Sequence, residues 1–455
     1  MAMGTRRDEI QEDLWVETSS LRESPGHPFY EKLNTILQQY GFDAFVEELC
    51  AKYYHETMGR PSIPPGVYFR MLFVGYFEGI DAERGIAWRV ADSLGLRRFL
   101  GYELGQPTPD HSSVSRTRRT MEIETHQEVF GWVLKVLAKE QLLRGKTLGI
   151  DGSTLEANAA LRSIVRRDTG EKYQEYLTRL AKASGIETPT RADLAKLDKK
   201  RPKKGSNDDW EHPHDPDAKI GKMKDGRTHL LHKVEHANDM ETQAVVAVTL
   251  ADGDEGDTES GPWTLWQAQA NLEKVAEDVE AKKALAENGL EEIVEDKGYH
   301  SNDVLVHLEE EGIRSYVSEP DRGKRKWAGK QMEQSAVYAN RRRIRGEHGR
   351  ALLRKRGEVL ERSFAHCYET GGMRRLHLRH RGNILKRALV HVAGFNLGLV
   401  MRKLIGRGTP RGLRDFLGRI LGVKNGILGE LEALSALWNQ FLGIVAVQPA
   451  NALTT

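Results

Sequence analysis

The sequence predicts an α/β protein in which a mixed sheet is flanked by helices and preceded by an all-helical domain. Before residue 143 apolar residues recur at helical spacing, and after it short apolar runs alternate with helical patterns. The length of 455 residues exceeds one ordinary domain. We expect an N-terminal arm over residues 1–27, the helical domain over 28–143, the sheet domain over 144–405 with a helical and loop insert at about 158–216, and a helical tail over 406–455.

The helical domain contains three helical patterns. A helix with one apolar face is predicted from Phe69 to Phe77 after Pro64-Pro65, and a second from about Ala82 to Ser93, broken by Gly95. Asp110 is placed to cap a third helix that displays serines and arginines. Such helices resemble a helix-turn-helix reader of DNA, although a small bundle with a polar surface gives the same pattern. The predicted DNA contacts here are Arg116, Arg118 and Arg119.

The sheet domain is predicted to begin with the strand TLGID, followed by a polar helical insert that runs to about Arg201. Residues 228–251 predict two strands joined by a turn at Asn238-Asp239. A helix capped by Thr258 and ended by Gly289 follows.

The C-terminal part continues with the strand LEEIVED, a helix that ends at Gly312 and the strand IRSYVSE. The remainder is predicted to be mostly helical. It includes an amphipathic helix over 384–399 and an apolar helical segment over 421–447.

The net charge of +2 hides a strong segregation of charge along the chain. Residues 371–419 contain twelve bases against one acid, and residues 321–362 contain fourteen against five. Residues 250–320 carry nineteen acids against five bases. Basic blocks of this kind favour a polyanionic partner, although solvated charged helices are the alternative.

Two aspartates stand where predicted strands end. Asp151 closes TLGID and Asp296 closes EEIVED, and each is followed by a glycine within two residues, so the chain is expected to turn there. On adjacent strands, the two carboxylates would meet at one edge of the sheet. Carboxylates are the hard oxygen ligands that Mg²⁺ prefers, although a strand-terminal Asp before Gly is also a common turn residue.

Glu361 is the third candidate acid. It lies in an arginine-rich helical pattern, where the bases need a partner of their own and DNA phosphate is the natural one. An ion pair within the helix is the alternative, and Glu358 is the rival glutamate. The arginines expected to contact DNA in this pattern are Arg350, Arg354 and Arg356.

The order of the motifs IDGSTLEANA, DPDAKIG, EDKGYHS and RKRGEVLERSFAH resembles that of bacterial insertion-sequence transposases with an Asp-Asp-Glu site on an RNase H-like fold. The segment from RPSIPPGVYF to HSSVSRTR resembles the helical domain that precedes the catalytic domain in such proteins. The resemblance covers roughly residues 28–405. It departs from the family around Glu361, because the family's tyrosine is missing seven positions before and Tyr368 replaces its lysine seven positions after.

The resemblance implies that Asp151, Asp296 and Glu361 are catalytic and bind two Mg²⁺ ions, with Mn²⁺ as a substitute. It implies that Tyr299 shapes the site or contacts DNA. From their positions, His300, four residues after Asp296, and Lys233 in the hairpin are further candidate DNA contacts, although a solvent-facing turn histidine and a lysine that covers a strand are the alternatives. The expected activity is cleavage of the ends of a transposon at its terminal inverted repeats, followed by strand transfer. A DNA-binding regulator without activity and a nuclease without strand transfer are the alternatives.

The expected partners are double-stranded DNA and a second copy of the chain, in the bacterial cytoplasm at the nucleoid. Cys50 and Cys367 are far apart and lack CxxC spacing, so neither a disulfide nor a zinc site is predicted. No apolar run reaches the roughly 18 residues of a membrane span, so no membrane role is expected.

Overall fold

The computed structural model describes residues 27–55, 62–201, 205–223, 225–321, 323, 325–416 and 418–419. The predicted N-terminal arm and the predicted helical segment over 421–447 lie outside this part of the chain, apart from His27.

The N-terminal part is helical, as predicted. Its helices are α1 (Pro28–Gln39), α2 (Phe42–Cys50), α3 (Pro65–Glu78), α4 (Glu83–Asp92), α5 (Leu94–Leu100), α6 (His111–Thr120) and α7 (Ile123–Lys139). Asp110 caps α6 by accepting a hydrogen bond from the Ser113 N–H at 2.7 Å. Gly95 does not end α4, because Ser93 separates the two helices and caps α5.

The sequence predicts one apolar face for helix α3, but in the structure the helix is buried on nearly all sides. It is surrounded by other helices of this region and by the C-terminal helix described below. Its single arginine, Arg70, is buried and paired with Asp43 at 2.5 Å. A helix enclosed in this way does not need the polar face that a surface helix has.

The strands are β1 (Thr147–Glu156), β2 (Val165–Arg166), β3 (Trp210–Glu211), β4 (Lys219–Lys222), β5 (Thr228–Asp239), β6 (Val245–Asp252), β7 (Glu292–Glu295) and β8 (Arg314–Val317). The main sheet is mixed. Its central strand β1 pairs antiparallel with β5 and parallel with β7, and β8 continues the parallel side. On the side away from β1, strand β5 pairs with β4 along its first residues and with β6 along the rest. The predicted α/β class with a mixed sheet is therefore confirmed.

The helices after β1 are α8 (Tyr173–Ala183), α9 (Arg191–Lys200), α10 (Asp257–Ala276), α11 (Val279–Lys282), α12 (Asn302–Glu310), α13 (Gln331–Arg345), α14 (Glu347–Phe364) and α15 (Arg381–Ile405). Helices α8 and α9 belong to the predicted insert, which also contains β2 and β3. The N-cap position of α10 is Gly256, two residues before the predicted cap Thr258. Helix α10 and helix α14 both contact β1, β5 and their neighbours.

Two predicted strand ends differ from the structure. β1 continues for five residues beyond Asp151, to Glu156, because β5 pairs with it along this whole length. The turn of the β5–β6 hairpin comprises residues 240–244 and does not lie at Asn238-Asp239, which still belong to β5.

Helix α15 forms the centre of the core. It packs against α3 and α7 of the helical region and against β6 of the sheet. The Asn396 side chain joins this contact by accepting from the Val245 N–H at 2.9 Å and donating to its carbonyl at 2.8 Å. The predicted amphipathic helix is therefore buried all round over most of its length. The boundary between the two predicted domains is not a boundary in the core, since one apolar cluster includes residues of both.

By length and composition the stretch Arg381–Phe416 could cross a membrane, but 89% of its most apolar window is buried inside the protein. Burial of this kind is what the core helix of a globular protein shows.

Candidate active site

Asp151 and Asp296 lie side by side on neighbouring strands. The parallel register of β1 and β7 pairs Leu148 with Ile293 and Gly149 with Val294, and the same offset joins Asp151 to Asp296. Adjacent strands are about 4.8 Å apart. The regular pairing ends before the two aspartates, and Asp296 begins a short turn over residues 297–299.

The two carboxylates project to the same face of the sheet. Gly149 contacts Leu360 of α14, and Val294 clusters with Val359 of the same helix. Because side chains alternate along a strand, Asp151, two residues beyond Gly149, also points to the α14 side. The negative charge of Asp296 contributes to the pKa shift of Asp151, as expected for neighbouring acids.

The Asp151 carboxylate is bound by a cationic group of the protein. Its Oδ2 lies 2.9 Å from Nη1 of Arg356, and its Oδ1 accepts from the Gly152 N–H at 2.8 Å. Burial raises the pKa of Asp151 above its usual value, while Arg356 opposes this rise and Asp296 adds to it. Sequence reasoning assigned Arg356 to DNA and missed this ion pair.

A third aspartate, Asp257, stands beside Asp296. The Asp296 Oδ1 accepts from the Gly298 N–H at 2.7 Å. A Cβ atom at Gly298 would lie 3.0 Å from this oxygen and would collide with a carboxylate oxygen of Asp257. Only glycine therefore fits between the two acids. Asp257 forms an ion pair with Lys233 at 2.6 Å.

A buried polar network supports this edge from the α10 side. The Glu235 carboxylate accepts hydrogen bonds from the hydroxyls of Ser260 and Thr264 at 2.6 Å each and from that of Tyr299 at 2.9 Å. The Lys233 ammonium lies 3.1 Å from the same carboxylate. These bonds fix the turn after Asp296 and the strand next to Asp151, which is how a supporting layer positions a site.

Glu295, next to Asp296, is buried among these acids. Burial raises the pKa of its carboxyl to about 8, and the nearby charge of Glu235 adds to the effect. Glu295 is therefore protonated at neutral pH and does not add negative charge to the edge.

Helix α14 crosses the sheet beside Asp151. Leu360 packs against Gly149 of β1. Phe364 stacks on His236 of β5 with ring centroids 4.5 Å apart, and His236 is paired with Asp151 in the β1–β5 register. The C-terminal half of α14 thus lies over the two strands at the level of Asp151.

The Glu361 side chain is exposed, and its carboxylate has no hydrogen bond or ion pair within the part of the chain that the structure describes. Val359 is buried in a cluster that includes Met240 and Val294. Two residues along an α-helix rotate the side chain by about 200°. Glu361 therefore lies on the side of α14 opposite Val359.

The rival acid Glu358 has a partner elsewhere. It is paired with Arg362 at 2.6 Å, and Arg362 also donates to Gln243 in the β5–β6 turn at 2.8 Å. This ion pair is directed away from Asp151. Of the two glutamates, Glu358 has an ion-pair partner and the Glu361 carboxylate has none within the described residues.

Apart from Arg356, which is paired with Asp151, the predicted DNA contacts fall into two groups. Four are exposed on the surface: Arg116, Arg119, Arg350 and Arg354. Four others are buried: Arg118, Lys233, Tyr299 and His300. Arg118 is paired with Glu83, and Lys233 and Tyr299 belong to the network around Glu235. A buried side chain cannot reach a DNA backbone, so we correct these four predictions and assign the residues to the interior.

A second group of possible metal ligands lies at the N-terminus of α15 and consists of Asp215, Asp217 and His380. Asp215 accepts from the His380 N–H and Asp217 from the Arg381 N–H, both at 2.9 Å. The two aspartates thus cap the helix by satisfying N–H groups that lack partners within it. Capping explains why these acids lie together.

Comparisons with known proteins bear on the helical region. Residues 17–120 match the family model described as Transposase domain (DUF772). A comparison with curated proteins gives no match. The match covers α1–α6 and shows that this helical region is similar to a transposase domain.

Proposed function

We propose that the protein is a Mg²⁺-dependent DNA transposase of the Asp-Asp-Glu type, which cleaves transposon ends at their terminal inverted repeats and transfers the strands to a target. The observation that carries this proposal is that β1, which contains Asp151, pairs in parallel with β7, and Asp296 follows β7 directly. The transposase domain matched by residues 17–120 supports DNA as the substrate.

The order of the strands supports an RNase H-like catalytic domain. Three antiparallel strands, β6, β5 and β1, are followed by the two parallel strands β7 and β8. The first aspartate lies on the central strand and the second at the end of the adjacent parallel strand. This is the arrangement that the resemblance of the motifs implies.

The residues at this edge fit divalent cations. Asp151, Asp296 and Glu361 are the ligands that we propose, and all three offer the hard oxygen donors that Mg²⁺ requires. Two such ions, when bound, activate the attacking oxygen and stabilise the leaving oxygen of a phosphodiester. The guanidinium on Asp151 shows that this carboxylate already favours a cationic partner.

Glu361 completes the set from α14. Its exposed carboxylate has no intramolecular partner in the described chain, and Phe364 of the same helix stacks on His236, which is paired with Asp151 in the β1–β5 register. The exposed Arg354 and Arg350 on the same helix are suited to the phosphates on either side of a bound strand.

The test uses the full chain and DNA that carries the terminal inverted repeats found beside the coding sequence. We expect Asp151→Asn, Asp296→Asn and Glu361→Gln to bind this DNA as the wild type does and to lose Mg²⁺-dependent cleavage. Glu358→Gln is the matched control, since Glu358 is exposed on the same helix but paired with Arg362. It should cleave normally.

Cleavage by Asp151→Asn or Asp296→Asn at the wild-type rate would reject the site. A wild-type protein that binds the repeats but never cleaves them would be a DNA-binding regulator. Cut products without joined products would indicate a nuclease that lacks strand transfer.

A further inference from the structure

Beyond Asp151, the end of β1 opens into a cavity of about 670 Å³, which we call the insert pocket. Its walls are residues 156–163, where the insert begins, residues 212–214 at the end of the insert, and the segment that carries Arg375 and Arg379. The volume lies within the range of about 300–1,000 Å³ that is common for ligand sites.

The segment before α15 is fixed to β1 by backbone hydrogen bonds. The Glu156 N–H donates to the Arg374 carbonyl at 2.9 Å, and the Leu376 N–H donates to the Glu156 carbonyl at 2.8 Å. The Arg374 guanidinium itself donates to the Thr154 carbonyl at 2.6 Å. The backbone from Arg374 to Leu376 is therefore fixed relative to β1.

Cationic side chains dominate the lining of the insert pocket. Arg162, Lys172, Arg375 and Arg379 stand against one lining carboxylate, Glu156. Arg375 is 72% exposed and lies 3.9 Å from Glu156, at the limit of an ion pair.

Arg379 has no carboxylate partner within the described chain and donates to the Asn158 carbonyl at 3.2 Å. The same positive field acts on a neighbouring imidazole. Burial lowers the pKa of His212, and the charges of Arg379 and His214 lower it further. An excess of positive charge around a cavity is repulsive unless an anion enters it.

The pocket lies at a defined distance from the proposed catalytic acids. Five residues separate Asp151 from Glu156, which corresponds to about 17 Å along an extended strand. Successive phosphates of one DNA strand advance by about 3.4 Å along the helix axis. A DNA strand that runs along β1 from Asp151 would therefore reach the pocket after about five nucleotides.

We propose that the insert pocket binds the DNA backbone about five nucleotides from the cleaved phosphodiester, through Arg162, Arg375 and Arg379. This proposal rests on the proposed function, because it takes the bond at Asp151 as the one that is cut. The contacts are to phosphate and not to bases, since guanidinium and ammonium groups dominate and the lining contains no Phe, Tyr or Trp. The insert thus acts as a clamp on the substrate.

The test measures binding of the full chain to a fluorescein-labelled duplex of mixed sequence, about 30 base pairs long, at several salt concentrations. We expect Arg375→Ala/Arg379→Ala to weaken binding about tenfold at about 0.1 M salt and to reduce the slope of log K against log salt by about 2. The control is Lys282→Ala/Lys283→Ala, two exposed lysines at the opposite end of the sheet, which should bind like the wild type.

Two further variants separate loss of charge from loss of folding. Arg375→Lys/Arg379→Lys keeps both charges and should keep most of the affinity. Arg162→Glu reverses the charge of an exposed residue at the rim, and it should weaken binding without changing the thermal unfolding midpoint.

Unchanged DNA affinity in both Arg375→Ala/Arg379→Ala and Arg162→Glu would overturn the proposal. Calorimetric binding of inorganic phosphate that is lost in these variants, with DNA affinity unchanged, would assign the pocket to a small anion and would also overturn it. Failure of the proposed function is distinguishable from failure of this proposal. A wild type that never cleaves DNA can still bind through the pocket, and the variants would then still show weaker binding and a smaller salt slope.

Discussion

Removal of the Arg356 guanidinium should increase the affinity of the DNA-free protein for divalent cations. Arg356 is 13% exposed and Asp151 26% exposed, and their charged atoms are 2.9 Å apart. At an effective dielectric constant of about 20 and a charge separation of about 4 Å, the attraction is about 4 kcal/mol before desolvation. Part of this is offset by desolvation, so we take about 1–2 kcal/mol as the net competition.

For Arg356→Ala we therefore expect the Kd of Mg²⁺ or Mn²⁺ to fall about 5- to 30-fold, measured by calorimetric titration. Arg356→Lys keeps the charge and should change the Kd much less. Arg362→Ala is the matched control, since Arg362 lies on the same helix but is paired with Glu358 on the far flank.

The coupling can be isolated by repeating the titration in an Asp151→Asn background, where Arg356→Ala should have little further effect. An unchanged or weaker affinity in Arg356→Ala would refute the reasoning, because it would mean that the guanidinium does not occupy the place of a cation at Asp151.

Two further predictions concern stability. Burial lowers the pKa of three histidines and so holds them neutral. The pKa falls to about 3 for His126 and His236, and it is also lowered for His391. Between the usual pKa of about 6.5 and these values only the unfolded chain binds the protons, so the free energy of unfolding should fall as the pH falls, by about 4 kcal/mol for all three at pH about 5.5. Urea unfolding at several pH values checks this, and equal stability at pH about 7.5 and about 5.5 would contradict it. Gly261→Ala places a Cβ 2.6 Å from the Tyr299 ring and should cost about 1–3 kcal/mol and reduce cleavage. Gly105→Ala is the control, because a Cβ at Gly105 has no atom within 4 Å. Equal stability of the two variants would show that the close packing of Gly261 against the Tyr299 ring does not limit stability.

The elements were predictable where the signal is local. The cap Asp110, the hairpin and the strand before Asp296 all follow from short patterns, and the structure has each of them. The proximity of Asp151 and Asp296 was predicted on the assumption that their strands are adjacent, and β1 and β7 do pair in parallel. The role of the two aspartates as metal ligands stays a prediction.

The remainder depends on contacts between distant segments. Asp257 belongs to an acidic run that resembles a surface turn, and nothing local places it against Asp296. Whether Lys233 is buried depends on its partner Glu235 and on α10, which no local pattern shows. Trp263 and Trp266 of α10 are exposed and stacked with centroids 4.7 Å apart, although large apolar side chains at helical spacing are usually found in a core.

The position of α15 has a consequence for work with fragments. Helix α15 fills the space between the N-terminal helices and β6. A chain cut near residue 143 would therefore yield two fragments that each expose a large apolar surface. We expect such pieces to aggregate when made alone. Coexpression of both halves is the route by which recognition and cutting can be assayed apart.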